Sequence, residues 1–145
     1  MSDQITISEV RRCACATIRR TDRVLTQFYD EILAPSGLYV TQFTLLAALT
    51  EAAPATINRL AKILVMDRTT LTRNLEVLAK QRLVRIDEGE DRRTRLVHLT
   101  QEGEQALRRA WPLWQEAQAR IEHVLGRERF EGLLTDLSAV LAAAS

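Results

Sequence analysis

The sequence is poor in the residues that interrupt helices. Five glycines and three prolines occur in 145 residues, so helix is expected to dominate. There are two cysteines, Cys13 and Cys15. Two residues apart on one helix, they point about 200° away from each other, which argues against a bridge between them and against a disulfide framework. That usage fits a reducing compartment, and the cytoplasm is the expected location. The two histidines, His98 and His123, lie in unrelated segments and share no ligand spacing with the cysteines, so no metal site is expected. No run approaches the roughly 18 apolar residues of a membrane span, and Met1 to Glu9 is too polar and mixed for a secretory signal. Also missing are a glycine-rich phosphate loop, a nucleophile with a paired base and a cluster of carboxylates. The chain is therefore not read as an enzyme, and no cofactor is expected.

What is present is an ordinary globular mixture, 46% hydrophobic and 27% charged. The length suits one domain over residues 1–145, able to bury roughly 70% of its unfolded surface. The net charge of +1 hides an uneven distribution. Thr56 to His98 holds ten basic residues (Arg59, Lys62, Arg68, Arg73, Lys80, Arg82, Arg85, Arg92, Arg93, Arg95) against six acidic, a local +4. The flanks are slightly negative: five basic against six acidic before it, five against seven after it. A local excess of this kind suits a surface that faces phosphates, although solvated surface charge accounts for it equally well.

Apolar periodicity places the elements. From about Ser8 to Leu33, Val10, Ala14, Ile18, Val24, Leu25, Phe28 and Ile32 recur at helical steps, and Pro35 and Gly37 stop the pattern. A second helix is expected from about Thr41, read as its N-cap, up to the break at Ala52-Ala53-Pro54. A short helix follows from Thr56 to about Leu64. After a turn at Val65-Met66, another runs from Asp67, a good N-cap, to about Gln81, with Leu71, Leu75 and Leu78 as its core stripe. Leu83, Val84 and Ile86, then Arg95 to Leu99, read as the two strands of a hairpin with a charged tip over Asp87 to Arg93. Thr100 caps a long helix that Gly126 ends, and a last helix covers about Arg127 to Ala142. The fold class is mainly α with a small β-hairpin wing.

Two short helices with a tight turn, then a charged hairpin, form a helix-turn-helix with a wing, whose second helix enters a major groove with its N-terminal residues leading. Here these are Arg68, Thr69, Thr70, Thr72, Arg73 and Asn74, types that bond base edges and phosphates. Asp91, Arg92, Arg93 and Arg95 at the hairpin suit a narrow minor groove. Aromatic residues for stacking on single strands are absent from this region. The expected partner is double-stranded DNA. The leucine, alanine and tryptophan stripes of the terminal helices exceed what one winged unit covers, so a homodimer is expected on a pseudo-palindrome with half-sites about ten base pairs apart or a little more.

From about Leu38 to Gly103 the sequence resembles the MarR family of bacterial regulators. The matching pieces are Thr41-Gln42-Phe43-Thr44-Leu45-Leu46, Leu60-Ala61, Met66 through Leu75, Leu83-Val84, Asp91-Arg92-Arg93 and Leu99-Thr100-Gln101-Glu102-Gly103, in order and at matching spacing. The resemblance implies a winged helix-turn-helix over about residues 38–99, flanked by dimerisation helices over about 8–33 and 101–144. It implies a triangular dimer with a small-molecule or redox input, and repression is the expected mode. Arg68, Thr69, Thr70 and Arg73 would face the groove or its phosphates. Asp91 would orient neighbouring arginines by ion pairing, while Arg92 or Arg93 reaches DNA. Aromatic carboxylates are the effectors the resemblance suggests.

Two further features sit outside the reading unit. Cys13 and Cys15, near Arg11, Arg12 and Arg19, suggest an oxidant sensor, against the commoner fate of small buried cysteines. Trp111 and Trp114 flank Pro112, which is expected to bend the helix and open a cleft for a small aromatic ligand; plain core packing is the alternative. The rival function is a winged-helix protein-interaction module, which would expose leucine or aromatic residues where this reading helix has arginine and threonine.

Overall fold

The long first helical pattern breaks at Arg12 and Cys13. The computed structural model describes residues 6–145 and shows two helices there, α1 (Ile7–Arg11) and α2 (Ala14–Leu33). Residues 1–5 of the polar leader lie outside the described residues. Cys13 is the N-cap of α2 with extended backbone, φ −63° and ψ 122°. The helical argument that sets the two thiols on opposite faces therefore does not apply to it. A second correction concerns the apolar stripe of this segment. Leu33 is buried, whereas Val10, Ile18 and Val24 are exposed in the protomer.

A single 3₁₀ turn, Ala34–Ser36, leads to Gly37 in the left-handed region, φ 79°, which reverses the chain. The next helix, α3, spans Val40–Ala52 and is capped two residues earlier than Thr41: Tyr39 N–H donates to Gln42 Oε1 at 3.0 Å. Asp30 of α2 accepts the Val40 N–H at 2.7 Å, which satisfies a free donor of the first turn and ties α3 to α2. Phe43, Leu45, Leu46 and Leu49 are buried on α3.

The reading unit follows. Strand β1 (Ala55–Thr56) precedes α4 (Ile57–Leu64), and Thr56 caps α4 by accepting the Arg59 N–H at 3.1 Å. Val65, in the left-handed region at φ 51°, turns the chain into α5 (Arg68–Lys80). Asp67 Oδ2 accepts the Thr70 N–H at 3.1 Å. Strands β2 (Val84–Glu88) and β3 (Arg95–Leu99) pair antiparallel from Val84 with Leu99 to Glu88 with Arg95. The sheet is three-stranded, in the order β1-β3-β2, not a bare hairpin: Ala55 pairs with Val97 and Thr56 with Leu96. Two residues have too short a period to read from sequence.

Helix α6 (Gln101–Leu125) starts at Thr100, whose Oγ1 accepts the Gly103 N–H at 3.0 Å, and runs through Pro112 without interruption. Gly126, φ 79°, turns the chain into α7 (Arg127–Ala144). The core lies where α3, α5, the sheet and the first half of α6 meet: Leu46, Leu60, Leu71, Leu75, Leu78, Val97 and Ala110 have no exposed surface. Burying each of these leucines contributes about 1.5–3 kcal/mol. Phe130 anchors the start of α7, and everything after it is exposed. Among the described residues, no single helix is long and apolar enough to cross a membrane.

Candidate nucleic-acid interface

Leu71, Leu75 and Leu78 set the rotation of α5 by facing the core. At about 100° per residue, Thr69, Arg73, Glu76 and Lys80 fall on the opposite, outward side. Arg68 and Thr72 flank that face on one edge, Thr70 and Asn74 on the other. Arg68, Thr69, Thr70 and Arg73 are exposed, while Thr72 and Asn74 are half-buried. The Thr72 hydroxyl is also committed, donating to the Arg68 carbonyl at 2.8 Å. The sequence-derived set is thus unequal: Thr69 and Arg73 point straight out, while Thr72 and Asn74 are its half-buried members.

The wing turns over residues 89–94. It closes with Gly89 N–H donating to the Thr94 carbonyl at 2.7 Å and Thr94 N–H donating to the Asp91 carbonyl at 2.8 Å. Asp91 departs from the expected role. Its Oδ1 accepts the Arg93 main-chain N–H at 3.1 Å and so shapes the turn, and Asp91 is in none of the ion pairs among the described residues. This is a local Asx turn, which offers the carboxylate a nearer donor than any side chain. Arg92, Arg93 and Arg95 are all exposed. At the base of the wing, Asp87 Oδ2 accepts from Arg85 Nε at 3.0 Å and lies 3.2 Å from His98 Nε2. The four ion pairs among the described residues use Arg85, His98, Arg108 and Arg120. The arginines of α5 and of the wing tip keep their charge for another partner.

Sequence reasoning assigned no role to Asn58 and Thr94, yet both border a notch between α4, α5 and the wing, along with Arg68, Arg93 and Arg95. Asn58 follows the cap of α4 by two positions. That position was readable as exposed, but its approach to the wing depends on β1.

The other singled-out residues lie away from this surface. Cys13 and Cys15 are free and exposed, and both line a cleft with Arg11, Arg19, Arg20 and Arg23. Trp111 is 47% exposed and Trp114 half-buried. Both stack with Phe43, the two indoles 5.1 Å apart and Trp114 5.6 Å from Phe43. Trp114 therefore joins the core cluster, whereas Trp111 borders a cleft of about 340 Å³ with Thr50, Glu104, Leu107 and Arg108. The expectation of a cleft shared by the two indoles gives way to one bordered by Trp111 alone. A second cleft, of about 300 Å³, lies between α2, α3 and the α4–α5 turn, lined by Leu25, Tyr29, Val40, Leu45 and Met66 among others. Tyr29 spans its floor, donating to Gln118 Oε1 of α6 at 2.7 Å, and burial raises its pKa above the ordinary 10.0. Among the described residues, no three His, Cys, Asp or Glu side chains come together as a metal site.

Comparison with known proteins follows the same lines. The MarR family model matches residues 36–94. The uncharacterized HTH-type transcriptional regulator YwoH of Bacillus subtilis is 33% identical over 98 residues, 68% of this chain and 72% of that protein. The crystal structure of the M. tuberculosis transcriptional regulator MosR in complex with DNA is 41% identical, with a TM-score of 0.81 over 92% of this chain and 98% of that one. MarR from E. coli, complexed with operator DNA, shares the fold at 24% identity, with a TM-score of 0.83 over 94% of this chain and 99% of that one.

Proposed function

The chain belongs to the MarR family of winged-helix, DNA-binding transcription regulators, which are not enzymes, and on that premise we propose a homodimeric repressor of a pseudo-palindromic operator, released by a small aromatic ligand or an oxidant. One observation carries the DNA reading: Thr69 and Arg73 face outward from α5 beside the exposed wing arginines Arg92, Arg93 and Arg95, with no acid neutralising them among the described residues. The 41% identical MosR was crystallised on DNA.

The dimer reading rests on α7. Its Leu133, Leu134, Leu137, Val140 and Leu141 are 40–51% exposed in the protomer, and Ile7, Val10 and Ile18 near the other terminus are exposed as well. An apolar surface of this extent marks an interface, and a second copy covers both ends at once. Two-fold symmetry then sets two α5 helices about one DNA turn apart.

Two inputs have chemistry to support them. The Tyr29 cleft is largely apolar and touches both α2 and the turn before α5, so a ring seated there bears on the placement of the reading helix. The Trp111 cleft offers an indole edge and the Arg108 guanidinium, which suits an aromatic carboxylate. At the N-terminal end, attack of the Cys13 or Cys15 thiolate on peroxide breaks the O–O bond and yields a sulfenic acid beside four arginines, the hydroxide released taking a proton from solvent to give water.

Fluorescence anisotropy against the DNA upstream of the coding region, with unrelated DNA as competitor and at two salt concentrations, tests the reading. Competitor-resistant, salt-sensitive binding is expected. Binding that unrelated DNA removes equally well overturns it. In the same assay, release by aromatic acids or by peroxide identifies the input, and Cys13→Ser with Cys15→Ser is expected to abolish only the peroxide response.

A further inference from the structure

Helix α2 presents opposite charges to two clefts. Arg19, Arg20 and Arg23 line the one that holds Cys13 and Cys15, whereas Asp22 lines the other, between α2, α3 and the α4–α5 turn. That second cleft, of about 300 Å³, is close to the smallest volume typical of ligand sites. Its wall is apolar, made by Leu25, Val40, Leu45, Leu64 and Met66. Asp22 is the one charged residue of the lining: among the described residues, no lysine, arginine or histidine borders this cleft. Asp22 is exposed and belongs to none of the ion pairs among the described residues. The hydrogen bond it accepts, from Thr26 Oγ1, is long at 3.5 Å. Its charge is therefore open to a ligand.

The other polar groups of the cleft do not make up for the missing cation. The Tyr29 hydroxyl donates to Gln118 Oε1, and Thr44 Oγ1 donates to the Val40 carbonyl at 2.9 Å. An anionic ligand would meet the Asp22 charge with no guanidinium or ammonium to hold it, and like charges a few ångströms apart repel. A protonated amine meets the reverse: a carboxylate for its charge, an apolar wall for its body, and the Tyr29 side chain in the same lining. We infer that this cleft takes an apolar monocation, a protonated amine on a ring or branched alkyl body, and that Asp22 sets the preference. Aromatic carboxylates, the effectors that the family resemblance suggests, are then left to the Trp111 cleft, where Arg108 supplies a cation. The inference rests on the reading of the Tyr29 cleft as a ligand site.

The methionines supply a local readout. The chain has Met1 and Met66 and no others, and Met66 lines the cleft. With isotope-labelled methionine methyl groups, nuclear magnetic resonance follows Met66, and Met66→Leu identifies its signal. The full chain and Asp22→Asn are titrated at neutral pH with three probes that share a naphthalene body: naphthylmethylamine, naphthylmethanol and naphthoate. Asp22 is exposed, and unchanged melting confirms a folded variant. The amine is expected to move the Met66 signal with a dissociation constant about tenfold below that of naphthoate, with the alcohol between them. In Asp22→Asn the three constants are expected to converge. Naphthoate that moves Met66 of the full chain at concentrations as low as the amine does overturns the charge assignment and leaves the cleft a ligand site. So does a preference for the amine that survives Asp22→Asn. A Met66 signal that none of the three probes moves overturns the reading of the cleft itself.

Discussion

A Cβ on Gly103 would collide with the main-chain carbonyl oxygen of Leu83. The first turn of α6 is pressed against the strand that carries the wing, and Thr100 fastens the same spot, its main-chain N–H donating to the Leu83 carbonyl at 3.3 Å. Gly103→Ala is expected to cost about 1–3 kcal/mol, the range for overpacking a tight site. Chemical denaturation at fixed protein concentration measures it, and wild-type stability would show that α6 and β2 separate freely.

Arg73→Ala is expected to abolish operator preference and leave melting unchanged, because the side chain points outward from α5 and touches nothing the fold needs. Operator affinity equal to that of the full chain would remove α5 from the role of reading helix.

Replacing Arg92 and Arg93 together with alanine is expected to lower affinity and to reduce the slope of log affinity against log salt by up to about one per lost phosphate contact. An unchanged slope would mean that the wing tip makes no phosphate contact.

Leu137→Glu places a charge in the middle of the exposed apolar face of α7. Sedimentation equilibrium is expected to show monomers where the full chain gives dimers, with operator binding lost in parallel. A stable dimer of the variant would place the interface elsewhere.

Tyr29 gives a pH signature. Its burial raises the folded-state pKa above the 10.0 of the unfolded chain. The folded form holds the proton more tightly, so this contribution is complete below pH 10 and is lost as pH rises through the folded value. Tyr29→Phe is expected to be less stable at neutral pH by about 1 kcal/mol, through loss of the bond to Gln118, and to lack this part of the alkaline decline. Parallel alkaline melting curves for the two proteins would contradict the assignment.

Much of the fold was legible because the strongest signals are local. Asp67 and Thr100 were readable as caps, since a short polar side chain before an apolar stripe has one cheap use. Leu71, Leu75 and Leu78 fixed which face of α5 is buried, and with it the outward position of Arg73. The turn at Val65-Met66 was legible from the break between two apolar stripes, although its β-branched Val65 disfavours the left-handed backbone it adopts. The misses are all non-local or strained. The break at Cys13 interrupts a run whose spacing continues across it. The exposure of Val10 and Ile18 reflects helical spacing that records an apolar face without saying which molecule covers it. The ion pair of Asp91 was what the family resemblance implied, while the donor it meets is the Arg93 main-chain N–H, which a motif does not reveal. Trp111 and Trp114 divided for the same reason: whether an indole packs or faces solvent depends on Phe43, about seventy residues away.

The smallest element of the sheet has the largest mechanical effect. β1 contributes only Ala55 and Thr56, yet it pairs with β3 of the wing while Thr56 caps α4. The wing is thereby riveted to the first helix of the reading unit and lacks a hinge of its own at that edge. Torque delivered to α4 from the Tyr29 side is passed to the hairpin as well as to α5. On the proposed reading, the head then turns as one stiff body and the major-groove and minor-groove contacts are released together.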